Sequence, residues 1–220
     1  VIGVTKEVAQ VAVTNNDWDA AAGSYTLEDS APATTLAFVG DFSSSSYTQN
    51  FSVSSQDSDP RGIAFNTDGT KMFVVGYSAD DVHEYALTTG FDISTASFTE
   101  TFSVAGQDLT PKGLEFNTDG TKMFVVGAWG DDVNEYALST GFNISTASFT
   151  DSFSVASQDA NPEGIAFNAD GTKMFVVGND GNDVNEYTLS TGFDVSTASF
   201  VDAFSVSSQD TDPQGLAFNT

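Results

Sequence analysis

The chain has 220 residues, with 31 acidic against 6 basic side chains, a formal net charge of −25, 40% hydrophobic residues and no cysteine. Such a field repels phosphate backbones and anionic lipid, so nucleic acid and membrane surfaces are poor partners while cations and basic patches are better ones. The missing cysteine removes disulfides, thiolate metal sites and cysteine nucleophiles, and no apolar run approaches the ~20 residues that span a bilayer.

Taken from the N-terminus, residues 1–34, with Trp18 and an Ala20-Ala21-Ala22-Gly23 turn, match nothing else in the chain and are expected to be an anchor or connector. Thr35 to Asn50 aligns without gaps on Ala86 to Thr101, with Phe42 over Ile93 and Tyr47 over Phe98, and is expected to be a worn outer strand. At Phe51 a block of 51 residues begins that starts again at Phe102, Phe153 and Phe204; the first two copies match at 36 of 51 positions. The shared frames are F-S-V-x-x-Q-D, G-[IL]-x-F-N-x-D-G-T-K-M-F-V-V-G and D-V-x-E-Y-x-L-[ST]-T-G-F. A supersecondary unit copied in tandem cannot bury its apolar face alone and packs on its neighbours.

In the first copy, residues 62–65 are a short apolar run ending at Asn66-Thr67-Asp68-Gly69, where Asp-Gly supplies the positive φ of a hairpin turn. Residues 70–76 read as a second strand, and the nearly continuous Met72-Phe73-Val74-Val75 predicts cover on both faces. After the polar turn 77–81 a third strand runs over 82–87, with alternating sides. A fourth, of mixed character as fits an outer strand, covers 98–104. Pro60, Pro111, Pro162 and Pro213 stand just before the glycine of each first strand, where a missing amide donor costs nothing. Helical periodicity is absent.

Four antiparallel strands per 51 residues predict an all-β chain, a β-propeller of four-stranded blades at about 61–104, 112–155 and 163–206, with a further inner strand at 214–218, within a repeat region 35–220. Rings normally hold four to eight blades, so either the natural protein continues past Thr220 or several chains share a ring, and continuation is the preferred expectation.

The stretch G-[IL]-A-F-N-x-D-G-T-K-M-F-V-V-G resembles the blades of YVTN and TolB-like propellers, over residues 60–220 and more faintly 35–59. That resemblance implies a fold and no single activity, because the superfamily holds lactonases, peptidase gates, periplasmic scaffolds and surface proteins. The runs E-Y-x-L-S-T-G-F-D-V-S-T-A-S-F are also similar to repeats of marine bacterial and bacteriophage structural proteins.

Candidate chemistry is sparse. His83 is the one histidine; its counterparts are Asn134 and Asn185, so it reads as a substitution on an outer strand and not as part of a ligand set. The acidic turns bring Asp80 and Asp81, Asp131 and Asp132, and Asp180 and Asp183, which could offer oxygen ligands to weakly bound calcium but lack the fixed spacing of a dedicated loop. No other cofactor is expected. The recurrent Gln56-Asp57 and its copies read as structural, the aspartate holding a turn between blades. Phe65, Phe116, Phe167 and Phe218, with Met72, Met123 and Met174, read as core between blades.

Two zones vary between the copies: Tyr77-Ser78-Ala79 against Ala128-Trp129-Gly130 and Asn179-Asp180-Gly181, and Ser58-Asp59 against Leu109-Thr110, Ala160-Asn161 and Thr211-Asp212. In a four-stranded blade both zones emerge on one rim. Variation there is the mark of a binding face, with Tyr77, Ser78, Leu109, Trp129, Asn179 and Asp180 as its residues and the two large aromatics as anchors.

The expectation is thus a non-catalytic display and interaction module, not an enzyme, on an extracellular or virion surface structural protein, adhesin-like or tail-fibre-like. Its expected partner is a protein or glycan surface, and it is a candidate for homo-oligomers or larger assemblies. One alternative is a secreted enzyme resembling sugar lactonases, with a divalent metal in the channel; its inner-strand starts are Arg61, Lys112, Glu163 and Gln214, an inconsistent set for that purpose. The other is an architectural repeat that builds a fibre or shell.

Overall fold

A computed structural model describes residues 46–218. The chain divides into two units, 1–48 and 49–220. The predicted segment 1–34 and most of the predicted outer strand 35–50 lie outside the described residues, and residues 46–50 carry no strand.

The second unit holds three antiparallel four-stranded sheets, the strands of each lying in sequence order. The first sheet comprises β1 (Pro60–Phe65), β2 (Lys71–Gly76), β3 (Asp81–Leu87) and β4 (Ala96–Ser103). The second comprises β5 (Pro111–Phe116), β6 (Lys122–Gly127), β7 (Asp132–Leu138) and β8 (Ala147–Ser154); the third, β9 (Pro162–Phe167), β10 (Lys173–Gly178), β11 (Asp183–Leu189) and β12 (Ala198–Ser205). The chain is therefore an all-β protein carrying three β-propeller blades, one per repeat.

The first hairpin of each blade forms where its turn bonds to itself. Gly69, Gly120 and Gly171 take φ of 70–71°. The Thr70 amide and hydroxyl donate to Asp68 Oδ1 at 3.0 and 2.6 Å, and Lys71 N donates to Asn66 Oδ1 at 2.8 Å. The hydroxyl and amide of Thr70 hold the exposed Asp68 carboxyl below its ordinary pKa. Between the third and fourth strands the structure adds what the sequence reading left out, single 3-10 turns at Ile93–Thr95, Ile144–Thr146 and Val195–Thr197. Each is capped by the side chain of Asp92, Asn143 or Asp194. Three residues are too few to show a helical period.

The inner strands β1, β5 and β9 lie side by side, and the recurrent glycine is where they touch. A Cβ on Gly113 would stand 3.0 Å from Glu163 O and 3.1 Å from Gly164 Cα. Outward from that line, one sheet's hydrocarbon packs on the next. Phe73 and Val75 of β2 meet Leu114, Phe116, Met123 and Val125, and the same contact is copied between the second and third sheets. The Phe73–Phe116 and Phe124–Phe167 ring centroids are both 4.5 Å apart.

The F-S-V-x-x-Q-D frame crosses the blade boundary. Phe102 sets its ring edge to Tyr136 at 5.5 Å, Val104 is fully buried, and the Tyr136 hydroxyl donates to Gln107 at 3.3 Å. The end of one blade is thereby tied to the third strand of the next, which explains why the copy and the blade are out of phase. The equivalent Tyr85 hydroxyl is pushed up to about 12 by burial.

Two expectations are corrected here. The third strand does not alternate: Glu84 and Glu135 are buried because Lys71 and Lys122 pair with them at 2.7 Å. Residues 214–218 are not a strand. They lie against β9, with a Cβ on Gly164 only 3.0 Å from Gly215 Cα, and the Phe218 ring packs tilted against Phe175, centroids 4.7 Å apart. A strand needs a ladder partner, and none of the described residues pairs with them.

Candidate functional site

The two variable zones are joined by hydrogen bonds in every blade. Tyr77 N donates to Asp59 O at 3.0 Å, Ala128 N to Thr110 O at 3.4 Å and Asn179 N to Asn161 O at 3.4 Å. Side chains add to this. The Ser58 hydroxyl donates to that of Ser78 at 2.9 Å, Asn161 bonds Asn179, and Asn179 Nδ2 donates to Asp212 at 3.0 Å. The β2–β3 turn of each blade and the link preceding that blade thus form one rim.

Beneath this rim sits the recurrent aspartate, buried in all three blades. Oδ1 of Asp57, Asp108 and Asp159 accepts the amide two residues on at 2.6–2.7 Å, an Asx turn. Oδ2 of Asp57 and Asp159 accepts Ala79 N and Gly181 N at 3.0 Å. A Cβ on Gly76 would lie 2.3 Å from the Asp57 carboxylate, so this glycine makes room for it. In the middle blade Oδ2 of Asp108 has no partner. The turn there carries Trp129.

On the rim, Trp129 is 61% exposed, Tyr77 46% and Leu109 41%. The Arg61 guanidinium lies 5.9 Å from the Tyr77 ring centre and pairs with Asp59 at 2.8 Å, a bond that raises its pKa. Ser78 and Asp180 are exposed beside them, and Asn179 is half-buried by its bonds to the neighbouring link. The structure therefore places all six predicted rim residues on one edge, though on three separate blades.

The six carboxylates considered for calcium fall in three separate turns. Among the described residues no three histidine, cysteine or acidic side chains are arranged to hold one metal ion. Asp80 and Asp131 sit at the left-handed position of their turns, φ 55° and 52°. Burial, then the charges of neighbouring aspartates, raises both pKa values, and burial does the same for Asp132. His83 is not on an outer strand: it lies on β3, buried, with Nδ1 3.0 Å from the Thr101 hydroxyl, and burial lowers its pKa.

At the inner-strand starts, Lys112 pairs with Glu163 and bonds Asn161 of the following link, so the two middle members of that supposed metal set neutralise each other. Sequence reasoning passed over Glu115, which replaces Ala64 and Ala166. It is largely buried, and burial raises its pKa. Comparison of the copies at this position was the signal that could have found it.

No protein-family model matches the sequence, and no curated protein does. Solved structures are similar in fold. They include a hydrazine synthase structure from Kuenenia stuttgartiensis (TM-score 0.50, 19% identity, covering 77% of this chain and 42% of that one). They also include a periplasmic gluconolactonase of Pseudomonas aeruginosa (TM-score 0.46, 17% identity, 66% and 38%) and the β-propeller domain of Swd1 from Myceliophteria thermophila (0.48, 9%, 71% and 45%). The chain thus spans about two fifths of the length of the structures it resembles.

The likeness to YVTN and TolB-like repeats stands at the level of the blade, without a family. One expectation is overturned. The reading that this is not an enzyme rested on the repeat, the acidity and the absence of a unique polar cluster, and a chain named as a hydrazine synthase is similar in fold, so the fold does not set the protein outside the enzymes.

Proposed function

We propose that the chain is a protein-interaction module that binds through the rim built from the β2–β3, β6–β7 and β10–β11 turns and the links between blades. The observation that carries this is the joining of the two variable loop zones into one edge, through Tyr77–Asp59, Ala128–Thr110 and Asn179–Asn161, with Tyr77, Leu109 and Trp129 exposed upon it. The opposite edge repeats one self-bonded Asn-x-Asp-Gly turn almost unchanged.

Large aromatics on a rigid frame are anchors at low entropic cost. The five described cations are all paired with carboxylates, whereas the rim aspartates at 80, 131, 132 and 180 pair with none, so the partner is a basic protein surface. An extracellular or virion-surface setting, adhesin-like or tail-fibre-like, is the context we propose; its support is the similarity of these repeats to those of marine bacterial and phage structural proteins.

The test is selection of a displayed peptide library on the immobilised chain. Basic peptides should be enriched and should lose at least about tenfold in affinity with Tyr77→Ala and Trp129→Ala together. Thr140→Ala, on the opposite edge, should leave them unaffected. Enriched peptides indifferent to the double substitution would place binding elsewhere.

A further inference from the structure

Among the described residues, the first blade leaves bare a face that the other two keep covered. Ile63 is 58% exposed, whereas its counterparts Leu114 and Ile165 are 5% and 4% exposed beneath the preceding sheet. Around Ile63 an open hollow of about 230 Å³ is lined by Phe51, Val53, Met72, Val74 and Ile93. What fits this face is known from the two contacts already made within the chain. It is the Phe-Val face of a second strand, Phe73 and Val75 in one contact and Phe124 and Val126 in the other.

Those contacts share a polar latch. Lys71 Nζ, while paired to Glu84, donates to Phe142 O at 2.6 Å, and Glu84 Oε2 accepts from Ile144 N at 3.4 Å. Lys122 does the same to Phe193 O at 2.6 Å, and Glu135 accepts from Val195 N at 3.0 Å. Each latch grips the segment leading into the 3-10 turn of the next blade. On the third blade the corresponding pair, Lys173 and Glu186 at 2.6 Å, grips no backbone group among the described residues, and Lys173 is 50% exposed. On the first blade the segment awaiting such a grip is Phe91 to Ile93, and Phe91 is 62% exposed. The two ends of the three-blade body are the two halves of one interface.

We infer that a second copy of the chain docks head to tail. Its third blade covers Ile63 and Met72 of the first, Phe175 and Val177 supply the apolar face, and Lys173 and Glu186 latch Phe91 O and Ile93 N. The contact is heterologous, so it propagates into a closed ring or an open array. It has a built-in competitor. Residues 213–218 already rest on β10, where Phe218 packs against Phe175. Their sequence Pro-Gln-Gly-Leu-Ala-Phe is nearly that of β1, Pro-Arg-Gly-Ile-Ala-Phe. An incoming β1, already bonded within its own sheet, displaces a segment bonded to none.

The test is the mass of the full chain in solution, by light scattering on a sizing column, at about 100 µM, well above a micromolar dissociation constant. The wild type should exceed one chain. Ile63→Lys, which spoils only the bare face, and Lys173→Glu, which turns the latch against a carbonyl, should each be monomeric with unchanged circular dichroism. Mixed, they should form a one-to-one dimer and nothing larger, because one sound head and one sound tail remain. Phe218→Asp, which loosens the competitor, should tighten self-association at least about tenfold. The inference is overturned by a wild type and Phe218→Asp that both stay monomeric, by variants that associate like the wild type, or by a mixture that stays monomeric.

Discussion

The line of glycines along the inner strands gives the sharpest quantitative test of the stacking. In Gly113→Ala the new Cβ would lie 2.6 Å from Val126 Cγ1, 3.0 Å from Glu163 O and 3.1 Å from Gly164 Cα. Carbon atoms in contact prefer about 3.5–4.0 Å. Val126 is fully buried and β-branched, with little freedom to turn aside. The other two atoms are backbone of β9, so relief requires the second and third sheets to part by several tenths of an ångström along their whole inner edge. Overpacking costs about 1–3 kcal/mol where side chains can yield, and backbone cannot, which places this substitution at about 3 kcal/mol. For a protein of this length each kcal/mol shifts Tm by about 2–4 °C, so the expected drop is about 6–12 °C. The chain supplies its own control in Gly106, where a Cβ would meet nothing within 4 Å. There the alanine should raise stability by about 0.4–1 kcal/mol by restricting the unfolded chain. Thermal and urea denaturation of both variants measure the contrast. If Gly113→Ala melts within a degree or two of Gly106→Ala, the inner strands do not touch at the glycines and the stacking described above is wrong.

Two further outcomes follow from buried charge. Burial raises the pKa of Glu115, so its charged form is penalised in the folded state above its folded pKa and the penalty fades as pH falls toward the unfolded value of about 4.3. Glu115→Ala, the residue of the other two copies, should therefore stabilise the protein by about 1–3 kcal/mol at neutral pH and by nothing below about pH 4, read as urea midpoints across pH; an equal gain at both ends would remove the charge as its cause. Lys122→Met strands Glu135 inside the interface and should cost about 3–5 kcal/mol, whereas Lys173→Met, at the half-exposed copy of the same pair, should cost under about 1 kcal/mol. Equal losses in denaturant midpoint would show that cover by the next blade does not decide the value of the pair.

Strand order, the hairpin at Asp68-Gly69 and the inter-blade role of Phe116 and Met123 were legible in the sequence because each is a local signal repeated three times. Periodicity fixed the unit, Asp-Gly marked the turn, and constancy marked the core. The same logic located the rim, since variation between copies against a constant frame is visible without coordinates. It failed where a residue's surroundings come from the neighbouring blade. Glu84 was read as one face of an alternating strand, yet its partner is Lys71 across the hairpin and its second oxygen turns to Ile144 of the next sheet, 60 residues away. His83 misled for the same reason, because a polar residue in a strand reads as exposed until the sheet packed on it is known.

The failures and the successes have one physical origin. A blade's inner chemistry is set by pairs 51 to 71 residues apart, as in Lys112 with Glu163 and Lys71 with Phe142, and such pairs leave no trace in a window the length of one strand. They do leave a trace in the comparison of copies. Lys71, Lys122 and Lys173 are invariant while nothing near them in sequence requires a lysine, and invariance without a local reason points to a contact made by each copy with the next. Read that way, the third lysine is the informative one. It keeps the residue type although, among the described residues, no partner carbonyl reaches it, which is what the proposed contact with a further sheet requires.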